Sequence, residues 1–478
     1  MFRTTEMTEA LYPHLPISLQ NVACSWYGRK EAKIRLGRSF EKHLARLLES
    51  EKWSRTEIRA YQDERVRELI RYAYDHVPFH RDRMRERKLT PVDIRTVDDL
   101  AKLPVLTKEE VRNNRDRLLS IKARSIDLHL RHTSGTTGKA LELYVNRSAI
   151  AMQWAIWWRH RMRFGVQPGT RHVNFTGKLV VPVTQNDPPF WRWNRPVRQA
   201  LINMQQLTPS KIGPILRFLD EQSFVLYTGY PSIIHALVMA ANQAGLRLHN
   251  APKLIASGAE NILENQRADI AEFTGSIVTD QWGMTEACAN ASQCRNFVYH
   301  EDFEFGVVER VEESRSNDLS QGRLLCTGLT TPEFPLIRYD VGDIGMWPSE
   351  QTCPCGLESP FLQEILGRTD DYVLTPEGTR IMRFDYIFKH APNVLECQVV
   401  QERLGEITLR LVRRYEYNTA DELTLREQVR KWISPTLTVH FDYVSEIPRE
   451  SNGKFRAVKS LLRTRPGLGQ LGTAAPNN

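Results

Sequence analysis

The pattern of apolar and polar positions changes character twice along the chain. Up to about residue 110, apolar positions recur at helical spacing. Ser54 and Glu57 form a capping box, and residues 58–77 keep the helical period until Val77-Pro78-Phe79 breaks it. Leu103-Pro-Val-Leu-Thr-Lys108 reads as a short extended link, and Thr107 with Glu110 is a second capping box. From residue 128 to about 345, strand-like and helix-like runs alternate. Residues 128–132 and 141–145 each alternate, predicting two strands joined in a hairpin. Thr208-Pro209 predicts a helix with proline at its first position, ending near Asp220, with a strand at 224–227. Residues 231–244 predict a helix stopped by Gly245. Residues 253–256 and 276–279 are short apolar strands, each followed by a polar loop.

Such alternation predicts an α/β fold with ligands at the C-terminal ends of the strands. Gly367-Arg-Thr-Asp-Asp371 is the best boundary. Beyond it, residues 396–401 and 406–412 alternate as strands and 421–432 is an amphipathic helix, the pattern of a small α+β domain. The expected organisation is therefore a large N-terminal domain (1–369) that opens with a helical segment, then a small α+β domain (370–465). A disordered tail (466–478) follows, without periodicity.

A chain of 478 residues is too long for one ordinary core, which agrees with that division. No apolar run approaches a membrane span, and the N-terminus lacks the apolar stretch of a secretory signal, so the cytoplasm is the default location. The net charge of +8 raises the question of nucleic acid. The cations are scattered among acids, as in Arg81-Asp-Arg-Met-Arg-Glu-Arg-Lys88, which reads as solvated helix faces. There is no aromatic-basic ribbon or helix-turn-helix signature, and no nucleic-acid partner is expected. An anionic small-molecule substrate set suits the mild basicity. Seven cysteines, an odd number, argue against a disulfide scaffold.

The chemistry is concentrated in short loops. Residues 133–139 read Thr133-Ser134-Gly135-Thr136-Thr137-Gly138-Lys139. Two glycines let the backbone approach a phosphate, the hydroxyls donate, and Lys139 adds a charge. A Walker A loop has four residues between its glycines, Ser or Thr after the lysine, and a helix next. Here two residues separate the glycines, Ala140 follows the lysine, and a strand follows. On the residues alone, the heptad is a phosphate loop or a hairpin turn.

The heptad resembles the phosphate-binding loop of the adenylate-forming enzymes, which include acyl-CoA synthetases, luciferases and adenylation domains. Four further segments match that superfamily in its order. Asp280-Gln281-Trp282-Gly283-Met284-Thr285-Glu286 resembles its aromatic-Gly-x-Thr-Glu motif. The aromatic ring would stack on adenine, Thr285 would donate to the α-phosphate, and Glu286 would hold Mg²⁺ directly or through water. By itself this stretch reads equally as a helix N-terminus with a buried Trp. Ser257-Gly258-Ala259-Glu260 resembles the loop against the adenine. Asp343, in Arg338-Tyr-Asp-Val-Gly-Asp343, resembles the ribose-binding aspartate, and Arg368 the arginine that reaches the same ribose. Asp370 matches the hinge about which the small domain rotates. Lys454, in Ile447-Pro-Arg-Glu-Ser-Asn-Gly-Lys454, resembles the lysine that meets the carboxylate and α-phosphate during adenylation. Tyr230 and Pro231 fall where the substrate pocket would begin.

The helical N-terminus, the link at 102–108 and the compact length are similar to the phenylacetate–CoA ligase branch, including members encoded with capsular-polysaccharide genes. That resemblance spans about residues 15–465. It implies ATP-dependent activation of a carboxylic acid, aromatic by branch, as an acyl-adenylate, with pyrophosphate released. A thioester with coenzyme A would follow. Some branch members hold zinc on a Cys/His pair plus Cys-x-Cys. Cys294, His300, Cys353 and Cys355 match that set, and a closed Cys₃His site would be structural; free thiols are the other reading. Two functional alternatives stay open: transfer of the acyl group to an amine or hydroxyl in polysaccharide or natural-product assembly, and a non-catalytic nucleotide-binding homologue. The presence of both Glu286 and Lys454 argues against the latter. Trp154, Trp157, Trp158, Trp191 and Trp193 supply aromatic area, for core packing or for an aryl pocket. The identity of the acid and the oligomeric state are not legible.

Overall fold

The computed structural model describes residues 11–123, 128–133, 141–182, 184–316, 318–368, 372–376, 380–381, 387, 391, 393–449 and 455–462, with Arg368, Arg380, Lys431 and Trp432 described by their backbones alone. The chain divides into two units, Met1–Leu366 with Glu450–Phe455, and Gly367–Arg449 with Arg456–Asn478. The expected tail at 466–478 lies outside the described residues.

The large unit begins with helices Ile17–Arg35, Arg38–Ser50, Arg55–His76 and Pro78–Glu86. Ser54 caps the third as expected. Its hydroxyl accepts from the Glu57 amide at 3.3 Å, and its own amide donates to the Glu57 carboxylate at 2.8 Å. Pro78 ends that helix and also starts the next, because the extended Val77 before it suits a pre-proline residue. A hairpin of β1 (Leu128–His132) and β2 (Glu142–Asn146) follows, antiparallel with Leu130 opposite Tyr144.

The framework is a mixed sheet of nine strands among the described residues. It contains β3 (His172–Thr176), β4 (Arg192–Asn194), β5 (Gln199–Asn203), β6 (Leu226–Gly229), β7 (Leu254–Gly258), β8 (Ile277–Gly283), β9 (Asn290–Gln293), β10 (Tyr299–Glu301) and β14 (Phe361–Leu362). Their order is β14-β10-β9-β8-β7-β6-β3-β5-β4. The centre, β8-β7-β6-β3-β5, is parallel and both flanks are antiparallel. Helices cover both faces, so the central strands bury apolar side chains on each. Tyr227, Ile255 and Val278 pack with helices Ile212–Gln222, Pro231–Gln243 and Glu264–Thr274. Leu226, Leu254 and Ala256, pointing the other way, pack with helices Arg38–Ser50 and Arg147–Arg163. Trp158 is buried there, with Trp154 and Trp157 beside it; Trp191 stacks on Phe218 with centroids 3.8 Å apart. All five tryptophans thus take part in packing. A second sheet, β11 (Gly306–Ser316), β12 (Leu319–Gly328), β13 (Tyr339–Pro348) and β15 (Glu364–Arg368), joins it. The link at 103–108 adds to β13: the Leu106 amide donates to the Arg338 carbonyl, and the Asp340 amide to the Leu106 carbonyl, both at 2.9 Å.

In the small unit, β16 (Val373–Leu374) pairs with β17 (Arg380–Ile381). The main sheet there contains β18 (Val394–Gln401), β19 (Glu406–Arg413), β20 (Thr438–Tyr443) and β21 (Val458–Ser460), in the order β20-β19-β18-β21. Helix Thr419–Trp432 closes the core through Leu425 and Val429, against Leu409, Val439 and Val458. Asn418 caps that helix, which starts two residues before the expected position, with its side chain accepting from the Ala420 amide.

Three expectations need correction. The helix expected at Thr208-Pro209 begins at Ile212; Thr208 to Lys211 form a lead-in turn whose carbonyl at 208 accepts from Ile212. The strand expected at 224–227 is Leu226–Gly229, because Phe224 packs among the rings of Trp193 and Phe218 instead of entering the ladder. The strand expected to end at 279 runs on to Gly283, paired with β9 as well as β7. Gln281 and Trp282 are therefore strand residues, not a helix N-terminus. No helix among the described residues is long and apolar enough to cross a membrane.

Candidate active site and metal centre

Three of the sequence-predicted segments end adjacent parallel strands. Tyr230-Pro231 follows β6, Ser257-Gly258 closes β7 and leads to Ala259-Glu260, and Gln281 to Glu286 close and follow β8. The register places Gly229 beside Ser257, and Gly258 beside Gln281. This is where an open parallel sheet binds ligands. Ala259 holds a φ of +69°, a strained setting for a residue with a Cβ, and so fixes the loop sharply. The Glu260 carboxylate meets the first turn of helix Pro231–Gln243, where the Ser232 amide donates to Oε2 at 3.3 Å. The Phe455 amide, one residue past Lys454, donates to Glu260 Oε1 at 2.6 Å. Burial, then the Glu260 charge, raises the Tyr230 phenol above its ordinary range.

Strand β13 brings two side chains to the 282–286 segment. Trp282 Nε1 donates to Asp343 Oδ2 at 2.9 Å, and the Tyr339 hydroxyl donates to Glu286 Oε1 at 3.1 Å. The Trp282 ring is only 7% exposed, packed with Ala287, Cys288 and Leu324. Thr285 is exposed, Glu286 is half-buried, and Met284 accepts a contact from the Cys288 thiol at 3.3 Å.

Behind the loops lies a polar cluster that the sequence did not reveal. Asp280 is buried between β7 and β9, accepting from Ser257 Oγ at 2.6 Å and from the Tyr299 hydroxyl at 2.8 Å. Burial lifts its carboxyl to about 6 against the pull of those donors. His160, buried in helix Arg147–Arg163, lies 3.1 Å from Gln281 Oε1 and 3.0 Å from Thr279 Oγ1; burial pushes its imidazole down to about 3, so it is neutral. Asp280 stood at the head of a recognised motif, but nothing local pairs it with Ser257 or Tyr299.

The β1–β2 hairpin, which flanks the heptad at 133–139, is held at both ends of its strands. The Thr133 amide donates to the Leu141 carbonyl, and the Thr133 hydroxyl accepts from the Leu141 amide, both at 3.0 Å. At the other end Asn146 caps helix Arg147–Arg163 and donates to Glu333 at 2.8 Å. Ser134, Gly135, Thr136, Thr137, Gly138 and Lys139 lie outside the described residues, as do Asp370 and Lys454. Arg368 ends β15.

The four metal-ligand candidates come together. Cys294 follows β9, His300 lies in β10, and Cys353 and Cys355 precede β14, which pairs with β10 at His300 and Phe361. Their ligand atoms lie within 4.8 Å of one another. The Cys294 and Cys353 sulfurs are 3.8 Å apart, the edge of a tetrahedron with metal–sulfur bonds of about 2.3 Å. His300 Nδ1 donates to the Ser359 carbonyl at 3.0 Å, which turns Nε2 toward Cys355 Sγ at 3.2 Å. Burial pushes this imidazole down to about 4, keeping it neutral as a ligand must be. The Cys294 and Cys355 sulfurs accept backbone amides of Asn296 and Leu357 at 3.3 and 3.5 Å. Gly356, at φ +83°, turns the chain after the second thiol. Three sulfurs and one imidazole nitrogen in this geometry suit a borderline-soft dication such as zinc.

Protein CapK of Staphylococcus aureus is 25% identical over 457 residues, covering 94% of this chain and 98% of that one. A phenylacetate-coenzyme A ligase of Thermus thermophilus is 24% identical over 466 residues, covering 87% and 99%. The chain is a homologue of CapK and of the phenylacetate–CoA ligases. The CapK C-terminal domain family matches residues 373–461. Among solved structures, 2-hydroxyisobutyryl-CoA ligase with its acyl-adenylate superposes with a TM-score of 0.69 at 20% identity, over 86% of this chain and 91% of that chain. The fold of this CapK homologue is that of the adenylate-forming ligases.

Proposed function

We propose that this CapK homologue activates a carboxylic acid with ATP and passes the acyl group to coenzyme A. The observation that carries the reading is the Trp282–Asp343 hydrogen bond beside the ends of β6, β7 and β8. It fixes a carboxylate assigned to the ribose hydroxyls at the end of β8, whose neighbour β7 leads into the Ser257–Glu260 loop that would flank the adenine. Lys139 and the hydroxyls of its loop are assigned to the β- and γ-phosphates. Thr285 would donate to the α-phosphate. Glu286, oriented by Tyr339, offers the hard oxygen that suits Mg²⁺, which would neutralise phosphate charge when bound. The substrate carboxylate attacks the α-phosphorus, the bond to the bridging oxygen breaks, and pyrophosphate leaves. Lys454 offsets charge on the α-phosphoryl oxygens. The thiol of coenzyme A then attacks the acyl carbonyl, and AMP leaves with the former carboxylate oxygen. Asp370 is the proposed hinge between the two half-reactions, and Arg368 a second ribose contact.

The acid would enter beside Tyr230 and Pro231. Phenylacetate–CoA ligases among the relatives favour an aromatic acid. The zinc set is read as structural, since four protein ligands close the site. The CapK likeness over nearly the whole chain favours a second reading, in which the adenylate is made but the acceptor is an amine or hydroxyl. Exchange of labelled pyrophosphate into ATP across a panel of acids tests adenylation. Stable release of AMP only when coenzyme A is added supports the thioester reading. Acid-dependent exchange without turnover on coenzyme A would favour the second, and no exchange with any acid would sink both.

A further inference from the structure

Along its first half, helix Ile17–Arg35 turns Gln20, Asn21 and Ser25 inward and leaves Leu19, Val22, Trp26 and Tyr27 exposed. On the inner side, Gln20 accepts from Arg192 Nε at 2.7 Å, Asn21 from the Trp193 amide at 2.8 Å, and Ser25 donates to the Trp193 carbonyl at 3.1 Å. Gly28 lies so close to β4 that a Cβ would fall 1.8 Å from Asn194 Oδ1. The helix therefore covers the β4 edge of the main sheet and is held there rigidly. On the outer side, Leu19 is 49% exposed, Val22 62%, Trp26 70% and Tyr27 51%. Isolated exposed apolar residues need no explanation, but a contiguous stripe containing a tryptophan does.

At 100° per residue, Leu19, Val22, Trp26 and Tyr27 share roughly half of the circumference with Arg29, Lys30 and Lys33. All three cations are exposed. The nearby acid, Glu31, points away and pairs with Arg35. The exposed arc thus reads apolar and aromatic in its first half, cationic in its second, with no acid. The surface continues through a neighbouring loop. Lys178 Nζ lies 5.7 Å from the Tyr27 ring centre, the adjacent Leu179 is 59% exposed, and Tyr12 donates to the Val180 carbonyl at 2.7 Å.

We propose that this face docks on an anionic lipid bilayer, with Val22, Trp26 and Leu179 entering the interfacial zone and Arg29, Lys30, Lys33 and Lys178 meeting headgroup phosphates. Tryptophan and tyrosine favour that zone, and basic residues beside an apolar stripe are the pattern of an in-plane helix. A second copy fits less well, because a parallel pairing of the stripes would set cation against cation. The proposal does not depend on which acid or acceptor the enzyme uses.

The test is sedimentation of the full chain with vesicles of phosphatidylglycerol and phosphatidylcholine, and with phosphatidylcholine alone. Binding is expected to the anionic vesicles only, and to weaken as salt rises. The triple variant R29Q/K30Q/K33Q should lose roughly hundredfold or more in apparent affinity, at about fivefold per cation. The variant V22S/W26S should also lose binding. All five positions are exposed, so unchanged melting temperatures should accompany both losses. No binding to anionic vesicles, or equal binding by wild type and both variants, overturns the proposal. So does a wild-type dimer that V22S/W26S converts to monomer, or binding that appears only after residues 2–10 are deleted.

Discussion

Trp282 Nε1 donates to Asp343 Oδ2 across 2.9 Å, tying the end of β8 to β13 through residues 61 positions apart. The indole is buried and so cannot swing, which leaves the carboxylate in one orientation. Trp282→Phe keeps an aromatic ring, though a smaller one, and removes the donor. A hydrogen bond to a charged group contributes about 1.5–3 kcal/mol. Calorimetry should therefore find ATP and AMP weakened alike, by roughly tenfold or more, since both carry the ribose. A loss confined to ATP would break the assignment of Asp343 to the ribose.

Asp280 carries the second prediction. Burial raises its folded-state pKa from 3.8 to about 6. Below pH 4 the carboxyl is protonated in both folded and unfolded states, and no penalty arises. Between pH 4 and 6 the unfolded chain gives up this proton while the folded carboxyl keeps it, and above 6 the folded protein holds a buried charge, so stability is lost from about pH 4 to 6. Asp280→Asn removes the titration. Urea unfolding at a series of pH values should show the variant gaining on wild type between about pH 4 and 6, by on the order of 2–3 kcal/mol. A constant difference across that range would mean that the carboxyl titrates as an exposed one does.

Much of the framework was legible because it rests on local rules. The capping boxes at Ser54 and Thr107, the hairpin flanking the phosphate loop, and the helix stopped at Gly245 are all written in neighbouring residues. Strand ends were misplaced where tertiary packing decides: Phe224 looks like a strand residue but packs against aromatic rings, and β8 runs through a motif that reads as a loop. The site's supports were illegible for the same reason. Ser257, Asp280 and Tyr299 meet only because β7, β8 and the β9–β10 hairpin are neighbours. The gathering of Cys294, His300, Cys353 and Cys355 was expected from resemblance, since their spacing alone also fits free thiols.

Lys139 and Lys454 lie outside the described residues, and their proposed roles separate by substrate and by step. Lys139→Ala should weaken ATP more than AMP, because only ATP carries β- and γ-phosphates. Lys454→Ala should slow adenylation by about 10²–10³, the scale of one electrostatic contact in a transition state. It should leave thioester formation from a pre-made acyl-adenylate almost unchanged. Stopped-flow comparison of the two half-reactions checks this, and equal losses in both would remove the role given to Lys454.

The last prediction concerns the metal centre and its reach. Cys294, His300, Cys353 and Cys355 join the β9–β10 turn to the segment before β14. Elemental analysis of protein purified without chelator should find about one zinc per chain, because three sulfurs and a neutral imidazole form a closed tetrahedral set. A closed site contributes its binding energy to folding, so Cys353→Ser should lower the melting temperature by about 5 °C or more. Cys24→Ser, which changes a thiol far from the cluster in sequence and outside it, should not. The effect should also reach the nucleotide loop, by a path the structure names. His300 anchors β10, the adjacent Tyr299 donates to Asp280, and Asp280 receives Ser257 at the start of the loop proposed to flank the adenine. Loss of the metal should therefore weaken AMP, and Tyr299→Phe should weaken it in metal-replete protein. If Tyr299→Phe binds AMP normally, the metal acts on stability alone; if no metal is found and Cys353→Ser melts like wild type, the four residues are only a cluster of thiols around a histidine.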